Sequence, residues 1–188
     1  MDLDPVELRV LGCLIEKQRT TPDQYPLSLN SLRLAANQTT SREPVTDYDE
    51  STIRTALDRL GDRGWTRLAS GPGSRAAKFR HLLDEALQLT PSQLALLAVL
   101  MLRGPQTAAE LRLRSERLYP FGSVEDVEAA LRALAERELV AEGGRHRWTQ
   151  LLGTAGEPVA AAAPVSDLET RVAELERIVA ELQRRLDG

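Results

Sequence analysis

The hexapeptide Leu89-Thr90-Pro91-Ser92-Gln93-Leu94 restates Leu3-Asp4-Pro5-Val6-Glu7-Leu8 at an offset of 86 residues, and Leu97 and Leu100 fall on Leu11 and Leu14. Further along, Val127-x-x-Ala130-Leu131-x-x-Leu134-x-x-Arg137-x-Leu139 restates Ile53-x-x-Ala56-Leu57-x-x-Leu60-x-x-Arg63-x-Trp65 at an offset of 74. Two anchored matches in the same order constrain the chain to a tandem duplication of one unit, with the difference in offset absorbed by longer loops in the first copy. The copies span residues 1–86 and 87–152. Units of that size are marginal alone, so the two are expected to pack on one another.

Periodicity describes the unit. Val6, Val10, Leu11, Leu14 and Ile15 predict a helix over Pro5–Gln18, with Asp4 as N-cap, Pro5 at the first turn and Glu7 able to reach back. Leu29, Leu32, Leu34, Ala35 and Ala36 predict a second, short helix ending near Asn37. A loop over Thr39–Asp49 follows, and then a third helix from about Glu50 to Arg63 with Ile53, Ala56, Leu57 and Leu60 on one face. Trp65–Ala69, the turn Ser70-Gly71-Pro72-Gly73-Ser74 and Ala76–Leu82 read as a strand, a glycine-rich loop and a returning strand. Three helices and a two-stranded wing describe a winged helix-turn-helix. The expected fold is therefore mostly α with small β wings: two such domains in tandem.

Past the second copy, 153–164 is an Ala/Pro/Gly linker without periodicity. Residues 165–188 then read as a coiled-coil helix. Val165, Leu168, Val172, Leu175, Val179, Leu182 and Leu186 keep a strict heptad spacing, with Val at a and Leu at d. That pattern favours a parallel two-stranded coil, and Arg171 at g can meet Glu176 at e′ of a partner. The seam predicts a homodimer; folding back onto the winged units is the alternative.

In nucleic-acid-binding winged helices the third helix enters the major groove, N-terminal residues first. In the first copy its exposed positions are Ser51, Thr52, Arg54, Thr55, Arg59 and Arg63, and the wing adds Arg67, Arg75, Lys78, Arg80 and His81. No acid lies between Asp62 and Asp84. Hydroxyls and guanidinium groups at these places suit bases and phosphates. The candidate DNA-binding set is Ser51, Thr52, Arg54, Thr55, Arg59, Arg75, Lys78 and Arg80. The second copy differs: Glu125, Asp126 and Glu128 open its third helix and oppose phosphate, while Arg112, Arg114 and Arg117 sit on its second helix. It reads as a packing or partner module.

Net charge is −4, so the whole-chain balance gives no argument for nucleic acid; the excess acid lies largely in 153–188. Cys13 is the sole cysteine and sits in an apolar run, which excludes an intrachain disulfide and predicts a buried small side chain. Two histidines and one cysteine make no usual zinc site. Neither a phosphate-binding glycine loop nor a nucleophile elbow occurs. No enzyme, metal or cofactor is expected. His81 and His146 are expected as exposed strand residues, and Trp65 and Trp148 as core. The absence of a signal-like N-terminus and of a long apolar run predicts a cytoplasmic protein with no membrane partner.

Thr20-Thr21-Pro22-Asp23-Gln24-Tyr25-Pro26-Leu27-Ser28-Leu29-Asn30, followed by Asn37-Gln38 and Arg42-Glu43-Pro44-Val45, resembles the signature of the YceH-like family of uncharacterised bacterial proteins. Gly73-Ser74-Arg75 with Lys78-Phe79-Arg80-His81 is similar to its wing. Leu102-Arg103-Gly104-Pro105-Gln106-Thr107 with Glu110-Leu111-Arg112 is similar to its second half. The resemblance spans about residues 3–152; Ala36 and Ser41 stand where its pattern often has Cys and Asn. It implies a tandem winged-helix fold and no established activity. Two functions from different classes remain. One is a DNA-binding protein of the regulator type. The other is a protein–protein scaffold, similar in architecture alone to segregation and condensation protein B. The polar stretch 20–45 likewise has two readings: side chains that hold a loop, or a recognition surface.

Overall fold

The computed structural model describes residues 2–69 and 77–153. Arg75, the whole expected wing turn, nearly all of the linker and the whole heptad seam lie outside the described residues.

The described chain is mostly helical with two small antiparallel sheets. Helix α1 (Pro5–Thr20) begins with the expected capping box: Asp4 accepts from the Val6 and Glu7 amides, and Glu7 accepts from the Asp4 amide. A 3-10 turn, Pro22–Gln24, leads to β1 (Leu27–Ser28), α2 (Leu29–Ala36) and α3 (Glu50–Asp62). Strands β2 (Thr66–Leu68) and β3 (Lys78–His81) form a hairpin, and β1 pairs with the far side of β3, giving the order β1-β3-β2. After the short helix α4 (Leu83–Leu87) come α5 (Pro91–Arg103), α6 (Ala108–Ser115) and α7 (Val124–Ala135). Strands β4 (Val140–Glu142) and β5 (Trp148–Gln150) complete the described chain.

The repeat read from sequence is repeated in hydrogen bonds. Thr90 and Gln93 build the same capping box at the start of α5. At the end of α3 the Trp65 amide donates to Leu60 O and Gly64 N to Gly61 O; at the end of α7, Leu139 N donates to Leu134 O and Glu138 N to Ala135 O. Gln106 bridges Trp148 through two backbone hydrogen bonds, so one residue does beside β5 what β1 does beside β3. Neither β1 nor α4 was expected. Two residues of strand carry no periodicity, and α4 follows β3 without a side-chain cap.

One continuous apolar core runs through both halves. Helix α1 lies directly on α5, and at Gly12 an added Cβ would stand 2.9 Å from Leu102 Cγ and 3.2 Å from Met101 Cβ. Leu3 N donates to Leu152 O, and a Cβ at Gly153 would meet the Leu3 carbonyl oxygen at 2.1 Å. The first residues of one half are thus tied to the last of the other. Cys13 is fully buried, and burial pushes its thiol up to about 11. Trp65 and Trp148 are buried as expected, whereas Leu34, placed on the core face of α2 by its pattern, is 55% exposed.

Gly64 and Glu138 occupy the same place in the two halves, and both are left-handed, at φ 73° and 56°. Nothing lies within 4 Å of where a Gly64 Cβ would sit, so a side chain there meets only the conformational penalty. Gly64→Ala is expected to lower stability by about 1 kcal/mol in urea unfolding, and Glu138→Gly to hold or raise it. A Glu138→Gly variant destabilised as much as Gly64→Ala would show that the two turns are not equivalent.

Candidate nucleic-acid interface

Helix α3 is amphipathic: Ile53, Ala56, Leu57 and Leu60 enter the core and the opposite face is open. Asp49 caps it, accepting from the Thr52 amide at 2.7 Å and the Ser51 hydroxyl at 2.9 Å, and these bonds hold its carboxyl below the usual range. The Thr55 hydroxyl donates to Ser51 O at 3.0 Å. Ser51, Thr52, Thr55 and Arg59 gather round a shallow depression of about 230 Å³ that Asp4 also lines. Arg59 Nη1 lies 2.8 Å from Asp4 Oδ2, and Arg63 reaches toward Glu7 at 3.9 Å. Arg54 is exposed and makes no ion pair among the described residues. The N-terminal half of α3 therefore offers hydroxyls and one open guanidinium, while its C-terminal arginines lean on acids at the start of α1.

The hairpin forms a second group. Arg67 stands directly opposite Arg80 in the β2–β3 register, and Lys78, two residues from Arg80, points to the same side. Like charges set opposite each other destabilise an antiparallel pair by a few tenths of a kcal/mol. Arg80 is answered by Glu85 at 2.6 Å; Arg67 has no ion pair among the described residues. Both groups are exposed enough that their ion pairs contribute little, about 0–1 kcal/mol each.

The other face of the hairpin corrects an expectation. His81 is buried, because alternation along β3 turns it inward opposite Thr66. Its backbone N–H donates to Tyr25 Oη at 2.9 Å, and its Nε2–H donates to Gln18 Oε1 at 2.8 Å. Nδ1 lies 3.5 Å from Asp84 Oδ1. His146 is exposed as expected, but on the 3-10 turn Gly144–His146 rather than a strand, paired with Glu142 at 2.9 Å.

Two buried arginines hold the loop after α2: Arg42, which the sequence placed among the loop-holding side chains of 20–45, and Arg9, which it missed. Arg9 donates to Ala36 O at 3.1 Å and Pro44 O at 2.6 Å; Arg42 donates to Ala35 O at 2.9 Å and to both Glu16 carboxylate oxygens, at 2.6 and 3.1 Å. Together they satisfy the last carbonyls of α2 and pin the 37–49 loop. Burial works against the Arg42 charge, but its bonds to Glu16 more than offset this and raise its pKa. Asn37 and Tyr48 add a reciprocal pair, Asn37 Nδ2 to Tyr48 O and Tyr48 N to Asn37 Oδ1, each 2.8 Å. The polar stretch thus holds its loop in place. A guanidinium inside an otherwise apolar helix, as at Arg9, was the signal available.

In the second half, Ser123 and Asp126 cap α7 reciprocally, and Arg132 lies 3.4 Å from Glu128. Arg112 is half-buried and donates to Gly122 O, and Arg114 lies 3.8 Å from Glu110. Among the described residues no cluster of His, Cys, Asp and Glu could hold a metal ion, and no helix is long and apolar enough to cross a membrane.

Residues 3–146 match the family model described as "Protein of unknown function, DUF480". The chain belongs to the DUF480 family. It is 43% identical over 212 residues to a UPF0502 protein of Shewanella sp. (strain ANA-3), covering 100% of this chain and 97% of that one. A UPF0502 protein of Geotalea uraniireducens (strain Rf4) is 47% identical over 201 residues, covering 100% and 88%. One of Dechloromonas aromatica (strain RCB) is 47% identical over 202 residues, covering 98% and 94%. Membership agrees with the YceH-like resemblance and brings no activity to the α3 and hairpin surface.

Burial pulls the His81 pKa down to about 4, against the opposing pull of Asp84. The folded value is depressed, so the unfolded chain takes up the proton first. The stability this contributes is complete above about pH 6.5 and is lost as pH falls toward 4, on the order of 3 kcal/mol across that window. Urea unfolding at stepped pH should show the loss, and His81→Gln should flatten it. An unchanged profile in the variant would remove His81 as its source.

Proposed function

We propose that the described chain is a pair of winged-helix units and that the first binds duplex DNA, as a cytoplasmic transcriptional regulator does. The observation that carries this reading is the outer face of the β2–β3 hairpin, where Arg67, Lys78 and Arg80 stand together and two arginines oppose each other in register. A row of phosphates resolves that like-charge pairing. The sheet order β1-β3-β2 behind an exposed α3 supports the winged-helix assignment. Ser51, Thr52, Arg54 and Thr55 on the N-terminal half of α3 are the groove-facing side chains, and Arg75 continues the basic run of the hairpin in sequence. No catalytic step, metal or cofactor enters.

The second reading, a protein–protein scaffold, is favoured by the acidic opening of α7 and by Leu113, which is 70% exposed on α6. The heptads of 165–186 serve either function through a parallel homodimer, and this is part of the proposal. Light scattering should give twice the chain mass, and Leu175→Asp, which sets a charge in the seam, should give a folded monomer. A monomeric wild type would sink the dimer.

Binding to mixed genomic duplex should fall steeply with salt. Changing Arg67, Lys78 and Arg80 together to Gln should reduce the slope of log K against log salt by about 2.7, for three lost phosphate contacts. Changing Arg112, Arg114 and Arg117 should matter less. Absence of binding by the full chain even at low salt rejects the DNA reading in favour of the scaffold.

A further inference from the structure

The ends of α1, α5 and α6 meet the 38–41 loop around a cleft of about 490 Å³. That volume lies within the range of small-molecule sites. Lys17, Arg103, Arg114 and Arg117 line it, against Glu16 and Glu116. Glu16 is already engaged by the buried Arg42, at 2.6 and 3.1 Å. Lys17 also lies 3.7 Å from Glu16, and Arg114 lies 3.8 Å from Glu110, so the cationic balance left inside rests chiefly on Arg103 and Arg117.

Cations in the last turn of a helix ordinarily answer the carbonyl end of its dipole. Lys17 and Arg103 fit that account; Arg117, beyond the end of α6, does not. Arg103 is half-buried and has no acidic ion-pair partner among the described residues. Its guanidinium donates to the neutral hydroxyl of Ser41. Burial lowers its pKa, and the next largest influences on it, Arg114 and Arg42, are both cations. A partly buried guanidinium among like charges is costly unless an anion joins it. The cleft also has an apolar side: Leu102, Leu113 and Leu118 line it, and Leu113 stands out from α6. Its walls are fixed in advance, because Glu43 N donates to Leu102 O at 2.8 Å and Arg42 anchors the loop.

We propose that this cleft binds a small molecule with an apolar body and one anionic group, phosphate or carboxylate, with Arg103 and Arg117 holding the anion. The site is separate from the α3 and hairpin surface and stands whether or not that surface binds DNA.

Phenyl phosphate and benzoate, titrated into the ¹⁵N-labelled full chain, are suitable probes. Saturable shifts are expected at the Arg103 and Arg117 side-chain N–H signals and the Leu102 and Leu113 amides, with inorganic phosphate weaker than phenyl phosphate. The stronger of the two probes identifies the anionic group. Arg103→Gln should weaken binding about tenfold, as should Arg117→Gln, which alters an exposed residue and leaves folding intact; Arg54→Gln should leave it unchanged. Shifts spread evenly over the protein's arginines, no saturation in the millimolar range, or full affinity in Arg117→Gln would each overturn the proposal. Displacement of phenyl phosphate by duplex DNA would make the cleft part of a nucleic-acid surface and overturn it too.

Discussion

Helix α1 can lie on α5 only because residue 12 has no side chain. A methyl group at Gly12 would stand 2.9 Å from Leu102 Cγ, so any larger residue would lever the two helices apart. Both helices are buried over most of their length, from Glu7 to Ile15 in α1 and from Leu94 to Leu102 in α5. Neither half closes its own core without the other. The same contact brings the ends of α1 and α5 side by side, which makes the cationic cleft. The strand-like tie between Leu3 and Gly153 closes the opposite margin of the pair.

The second constraint is polar. The loop between α2 and α3 runs from Asn37 to Asp49 without regular structure, and a loop of that length needs partners for its backbone. Arg9 and Arg42 supply them from inside. Removing Arg9 would leave Ala36 O only the Thr46 hydroxyl at 3.3 Å, and removing Arg42 would take the side-chain donor from Ala35 O and leave Glu16 only the longer contact to Lys17 at 3.7 Å. The loop is therefore held by one buried charge from α1, Arg9, and by its own Arg42 and Asn37–Tyr48 bonds. This is why α3 is held at a fixed place although the segment before it is irregular.

The legible part of the fold was the part written in periodicity. Of the seven α-helices among the described residues, apolar spacing located the first three, and the two anchored repeats pointed to α5 and α7, with α6 between them by analogy, down to the capping boxes at Asp4 and Thr90. What periodicity does not encode was lost. Strand β1 is two residues long and exists only because β3 offers it an edge. His81 was misread because a histidine in a short hairpin is usually outside; the inward register is set by the pairing of Thr66 with His81. The α3 positions were found correctly as an open face, but the ties of Arg59 to Asp4 and of Arg80 to Glu85 depend on chain segments distant or reversed in space. The sequence marked Arg114 and Arg117 as basic but not the cleft, since their meeting with Lys17 and Arg103 joins three helices and the stretch beyond α6.

The two halves share an architecture and differ in charge. Where α3 opens with one acid, Glu50, α7 opens with Glu125 and Asp126, and Glu128 follows one turn on. Acids at a helix start stabilise it through the dipole whatever the helix does next, so they do not by themselves forbid function. They do forbid equivalence. A duplex presents the same anionic surface everywhere, so on the proposed DNA reading the carboxylates that open α7 would oppose it where Ser51, Thr52 and Arg54 of α3 would not. The two halves therefore present two unlike faces. The second face sets the exposed Leu113 and the arginines of α6 beside an acidic α7, and so mixes apolar and charged character where the first face is hydroxyl-bearing and basic.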